Sequence, residues 1–291
     1  MSHEWHERAV CFGPNRAMVG VVTSPTGATS ETVVLLLNAG VIHRVGPNRI
    51  NVLLARDMAG LGLTVLRFDQ SGLGDSAPRE SETDLQESVA ADLADAMAYL
   101  TEHHAATRFI LVGICSGARA ALRTAYRAPN IAGLIVIDPP VYKTTKAVVS
   151  HYGQRLLRAE SWKNALTGKN ERIKDAIGRL RSRGDETHPD APQPSTMPGR
   201  LPEWPSQSDM AAALKRMLGN GTAIHWIYTG GAEDDQYNYR DQLADTFPTA
   251  CASSLMDWEL MSDVDHDFAT EPSRRAIRTE LRAWLTRRKF S

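Results

Sequence analysis

Short apolar runs rich in β-branched residues alternate along this chain with stretches of helical period, and few folds accommodate that rhythm. Residues 32–37, 63–68, 109–112, 131–137 and 223–229 are almost continuously apolar. A strand of that composition is covered on both sides, as in a parallel sheet buried under helices. The intervening segments read as helices. Residues 48–59 place Ile50, Leu53, Leu54 and Met58 on one face, and a long helix follows to about His103 behind a capping-box pattern over 83–86. Residues 116–126, 239–246 and 273–288 are the other helices of this rhythm. Two short strands over 8–13 and 17–23 precede it, and the last strand lies within 250–261. The pattern predicts an α/β fold with a mostly parallel central sheet and helices on both faces.

The rhythm breaks after Asp138-Pro139-Pro140. Residues 141–217 contain helical stretches but no clear strand, and 181–207 are dense in Pro, Ser, Asp and Arg. The expected organisation is a core of residues 1–140 and 218–291 with an inserted helical cap over 141–217. Trp162 and Trp204 offer that cap either a surface over an acyl chain or a small core of its own.

Charge and cysteine usage exclude several classes. The formal net charge is −1, so nothing favours nucleic acid or an anionic membrane surface. No run approaches the roughly 18 apolar residues of a membrane span. The first residues are polar, and a cytoplasmic location is expected. The three cysteines, Cys11, Cys115 and Cys251, are widely spaced and show no metal-ligand pairing. Neither a disulfide framework, nor a metal site, nor a cofactor is expected. Cys11 and Cys251 read as inert buried thiols.

Cys115 reads differently. It is the centre of Gly113-Ile114-Cys115-Ser116-Gly117, between a predicted strand and a predicted helix. A turn that lifts a side chain above a sheet edge there forces positive φ on its apex residue. It also brings strand and helix so close that the positions two residues either side must be small. A cysteine in an apolar run is as a rule a small hydrophobe; both glycines in register make this one a nucleophile. Ser116 lies one position past the apex, so its side chain is expected to point away and its backbone N–H to face the site.

These residues resemble the α/β-hydrolase superfamily over most of the chain. More narrowly, Asn38-Ala39-Gly40-Val41, His43 to Arg49, Arg67-Phe68-Asp69 and Ser71-Gly72-Leu73-Gly74-Asp75-Ser76 resemble bacterial hydrolases associated with exosortase systems and natural-product clusters. The superfamily order implies an acid and then a histidine after the nucleophile. His266, in the polar loop Asp263-Val264-Asp265-His266-Asp267-Phe268, takes the histidine's place. The implied acid is Asp234, three residues after Gly231, with Glu233 and Asp235 as neighbours and Asp138, at the end of the preceding strand, as a further candidate. The implied oxyanion donors are the amides of Ser116 and Val41. Here asparagine and alanine replace the usual lead residues of the second turn. His43 and Arg44 follow it, and Arg44 is either a holder of a substrate carboxylate or phosphate or a surface ion pair.

A cysteine at this apex is similar to those of dienelactone hydrolase and polyhydroxyalkanoate synthase. A thiolate attacks well and leaves well. The expected enzyme is therefore a Cys-His-Asp thioesterase or acyltransferase acting on acyl groups of coenzyme A or an acyl carrier protein. The alternatives are a carboxylester or lactone hydrolase, and a non-catalytic binding protein on the same fold.

Overall fold

The computed structural model describes residues 5–27, 30–79, 85–142, 144, 146, 204–230 and 239–290. Eight strands form one sheet: β1 (Trp5–Phe12), β2 (Met18–Pro25), β3 (Thr32–Leu36), β4 (Thr64–Phe68), β5 (Arg108–Ile114), β6 (Ile131–Ile137), β7 (Ala223–Thr229) and β8 (Met256–Met261). Their spatial order is β1-β2-β4-β3-β5-β6-β7-β8. The first two strands pair antiparallel, β2 also meets β4 antiparallel, and every pair from β4 to β8 is parallel. This is the expected mostly parallel sheet. The strands read as continuous apolar runs, β3, β4, β6 and β7, are buried along their whole length.

Helices cover both faces and split the apolar residues into two cores. On one face lie α1 (Ile50–Ala59) and the C-terminal α7 (Glu271–Arg287), which bury Leu54, Met58, Ile277, Leu281 and Trp284 with the sheet's Val34, Leu36 and Ile135. On the other lie α2 (Leu85–His104), α3 (Ser116–Arg127), α4 (Gln207–Gly219) and the short α5 (Gln242–Thr246) and α6 (Pro248–Cys251). Burying one Leu or Trp of such a face contributes on the order of 2 kcal/mol. The segment 239–246, expected as a helix, is helical over its last five residues as α5; Phe247-Pro248 ends it and opens the separate turn α6, because proline cannot continue the hydrogen-bond ladder of a preceding turn.

The helix α4 corrects the expected extent of the cap. Its Met210, Leu214 and Met217 are buried in the same cluster as Trp226, Leu243 and Phe247, so this helix belongs to the core. Ser206 caps it by accepting the Asp209 N–H at 3.1 Å. The chain divides into a unit of Met1–Tyr142 with Leu201–Ser291 and a unit of Lys143–Arg200. The remainder of the expected cap, Trp162 included, lies outside the described residues apart from isolated positions, as does the start of the capping box at Thr83. Among the described residues no helix is long and apolar enough to cross a membrane.

Candidate active site

The parallel strands β5, β6 and β7 end on one edge of the sheet, and the candidate groups gather there. Cys115 lies between the last residue of β5 and the first of α3, at φ 55° and ψ −114°. Its N–H donates to the Ile137 carbonyl at 2.8 Å, which ties the turn to β6. The two glycines are demanded by contact. A Cβ on Gly113 would lie 2.2 Å from the Gly117 carbonyl, and one on Gly117 would lie 2.5 Å from the Asn38 oxygen. Cys115 is exposed, as a nucleophile must be. Cys251 is half-buried, and burial pushes its thiol up to about 11. The expectation of a buried Cys11 fails: it sits on an outward position of the edge strand β1 and is exposed.

His266 reaches the site from the loop between β8 and α7. Val264 and Phe268, both buried, anchor the loop on either side of it, with Phe268 at φ 53°. Asp265 accepts the Ala269 N–H at 2.5 Å and the Ser273 and Thr270 hydroxyls, so the turn is braced from within. The imidazole lies close enough to the Cys115 thiol to draw it down. Its Nδ1 meets Asp138 Oδ2 at 2.7 Å.

Asp138 is thus the carboxylate the structure brings to the histidine. It ends β6 at φ 49° and is only 4% exposed. The Thr229 N–H donates to its Oδ1 at 2.7 Å and the Thr229 hydroxyl to its Oδ2 at 2.5 Å. The acid put first from the resemblance, Asp234, lies outside the described residues, as do Glu233 and Asp235. A sequence signal for Asp138 existed: an acidic residue closing a fully apolar strand directly before two prolines. Three non-glycine residues with positive φ, Cys115, Asp138 and Phe268, surround this one site. Strained backbone of this kind persists where the surroundings over-determine it.

The electrostatics follow from these contacts. The nearby His266 draws the Cys115 thiol below its ordinary range, against the opposing effect of burial. The Asp138 hydrogen bond, and then the nearby Cys115, push His266 up to about 10. Both shifts favour a thiolate facing an imidazolium. The sign is definite: the thiolate is the reactive form, and a lowered thiol retains it as pH falls below the usual value of about 8.5. Alkylation of Cys115 by iodoacetamide, followed by peptide mass mapping, is expected to stay fast below that value. Replacing His266 by glutamine is expected to move the profile to higher pH. A wild-type midpoint at or above the ordinary thiol value contradicts the pairing.

The second turn of the site follows β3. Its Ile42 N–H donates to the Ala39 carbonyl at 3.0 Å, and Gly40 adopts φ 58°. The turn amide brought to the elbow is that of Gly40, which donates to Ser116 Oγ at 2.5 Å. Val41, whose amide is the expected donor, is the next residue of this turn and stands 84% exposed. The contact with Gly40 corrects the expectation for Ser116, whose side chain faces the turn rather than away from it. The Ser116 amide lies beside the thiol and helps to lower it.

His43 and Arg44 are engaged within the protein. The Arg44 guanidinium is paired with Asp69 and lies 2.7 Å from Asp75 Oδ2 and 2.6 Å from His43 Nε2. It is the cation at the centre of the His43–Asp69–Asp75 cluster. Of the two readings of Arg44, the ion pair is the one observed, although Asp69 is fully buried rather than on the surface. Asp69 is the residue that sequence reasoning passed over. It also accepts the Arg44 N–H at 2.6 Å and the Asp75 N–H at 3.1 Å, and the Asn38 side chain lies 3.4 Å away. Asn38 in turn donates to the Ile42 carbonyl at 2.8 Å and accepts the Gln70 N–H at 3.0 Å. The unusual asparagine at the head of the turn therefore holds the turn's backbone. Gly74 permits this, since a Cβ there would lie 2.3 Å from Asp69 Oδ2.

Comparison with known proteins agrees with this fold. The sequence model of the family described as serine aminopeptidase, S33, matches residues 38–229, well over half of the chain. Among curated proteins no sequence matches this chain. Several solved structures are similar over nearly the whole length. An esterase from Pyrococcus furiosus aligns with a TM-score of 0.59 at 12% identity, covering 98% of this chain and 92% of its own. An α/β serine hydrolase homologue from Coxiella burnetii gives 0.57 at 15% identity, with 96% and 97% covered. A dienelactone hydrolase from Anabaena variabilis gives 0.55 at 13% identity, with 99% of each chain covered. At these identities the likeness is one of fold.

Proposed function

Because the chain belongs to the serine aminopeptidase S33 family and has the α/β-hydrolase fold, we propose that it is an esterase-like hydrolase in which Cys115 takes the serine's place. The observation that carries this reading is the line Cys115–His266–Asp138 at the edge of the sheet. The thiolate attacks the ester carbonyl carbon; a C–S bond forms and the carbonyl electrons move to oxygen. The tetrahedral intermediate collapses with loss of the alkoxide, which takes its proton from the His266 imidazolium. His266, neutral again, removes a proton from water. The hydroxide so formed attacks the acyl-cysteine, and the carboxylic acid leaves as the thiolate is restored. Asp138 holds the imidazole with its Nδ1 inward and stabilises its positive form.

The acyl-cysteine intermediate is itself a thioester. Exchange with coenzyme A or carrier-protein thioesters is therefore nearly isoenergetic, and this supports the second reading, a thioesterase or acyltransferase. Intact-protein mass spectrometry after mixing with an activated aryl ester or an acyl-coenzyme A, run beside a turnover assay, tests both. The expected result is an acyl adduct on wild type, absent from Cys115→Ala, with turnover of the ester. Adduct formation and turnover by the thioester in preference to the ester favours the second reading. A Cys115→Ala protein with full turnover ends both.

A further inference from the structure

We propose that the hydroxyl of Ser116, and not only its amide, is a catalytic group that donates a hydrogen bond to the oxyanion. This rests on the reading of Cys115 as an acyl-accepting nucleophile. Ser116 is the first residue of α3, directly behind the thiol. Its Oγ accepts the Gly40 N–H at 2.5 Å. The turn and the helix are in backbone contact at that point, since no side chain fits between Gly117 and the Asn38 carbonyl. The Ser116–Gly40 link is therefore set by the main chain on both sides.

The hydrogen-bond inventory leads from this contact to a role. A hydroxyl offers two lone pairs and one proton. One lone pair is used by Gly40, and among the described residues no acceptor takes the proton. The Gly40 N–H is spent on Oγ. A donor that is itself accepting a hydrogen bond is polarised and donates more strongly. The oxyanion site then consists of the Ser116 N–H and the Ser116 O–H, with Gly40 reinforcing the second. No proton is transferred in this step; it is lent to the oxyanion and returns when the intermediate collapses.

The test separates oxyanion stabilisation from everything else the thiol does. Alkylation by iodoacetamide displaces iodide at a saturated carbon and develops no oxyanion. Ester turnover does. Ser116→Ala is expected to lower kcat about 10²-fold, the usual effect of removing one such donor. KM is expected to stay within about twofold and the alkylation rate of Cys115 to be unchanged, as follows for a group acting only on the transition state. Ser116→Thr, which keeps the hydroxyl, is expected to recover most of kcat. A Ser116→Ala enzyme as fast as wild type, or faster, overturns the proposal. So does a parallel loss of alkylation, which marks a structural role. Turnover that survives Cys115→Ala instead overturns the nucleophile reading, and this assignment with it; loss of turnover there beside a silent Ser116→Ala overturns this assignment alone.

Discussion

Replacing Asp138 by asparagine is expected to lower ester turnover by roughly 10³-fold or more, on the scale known for triad acids. The same exchange at Asp234 or Asp235, and Glu233→Gln, is expected to leave it within about threefold, small beside such an effect. The imidazole has one Nδ1, and Asp138 occupies it at 2.7 Å. An amide at that position cannot satisfy its neighbours. Thr229 presents two donors to the carboxylate, its N–H and its hydroxyl, and His266 a third. If the amide oxygen faces Thr229, the NH2 group meets Nδ1 and fixes the wrong tautomer. If it faces His266, the NH2 group opposes the Thr229 N–H.

The charge matters as well as the geometry. Asp138 is the first cause of the raised His266 value of about 10. Without it the imidazolium is less favoured and the thiol is drawn down less. The alkylation profile of Cys115 in Asp138→Asn is therefore expected to move to higher pH, in the same direction as in His266→Gln. Turnover, alkylation profile and thermal melting measured together on the four variants check the assignment. Loss of activity in Asp234→Asn with Asp138→Asn fully active returns the acid to the loop after β7.

Gly113→Ala is expected to destabilise the fold by about 3 kcal/mol or more, near the top of the range for overpacking. The added Cβ would meet the Gly117 carbonyl carbon and oxygen at 2.2 Å and the Ala118 nitrogen at 2.5 Å. These are backbone atoms of α3, so no rotamer change relieves the contact. The helix has to move off β5, carrying Ala118, Ala121 and Leu122 out of their packing in the core. At about 2–4 °C per kcal/mol for a chain of this size, the melting temperature should fall by roughly 6–12 °C. A melt within a degree or two of wild type contradicts the close approach, and with it the strained elbow on which Cys115 stands.

Local chemistry made much of this legible. The apolar runs of β3, β6 and β7 identified a parallel sheet because burial on both faces removes any reason for polar alternation. Gly113 and Gly117 marked the elbow because their spacing reflects a contact two residues either side of one turn. His266 was readable from Phe268, which anchors the loop beside it. The helix α4 was misplaced because its apolar face, Met210, Leu214 and Met217, has the same period whether it covers a core or a cap.

The sequence by itself determined the alternation of strands and helices and the apex cysteine, since each is written in spacing over a few residues, while the histidine was implied by the resemblance to the superfamily's order. Only the tertiary structure decided which carboxylate meets His266, which amide meets Ser116, and that Arg44 is held by Asp69 and Asp75. Asp138 and His266 are 128 positions apart, and Gly40 and Ser116 are 76 apart. Contacts across such distances depend on where parallel strands end side by side, and a hydrogen bond exists only within about 3 Å, so no local pattern encodes the pairing.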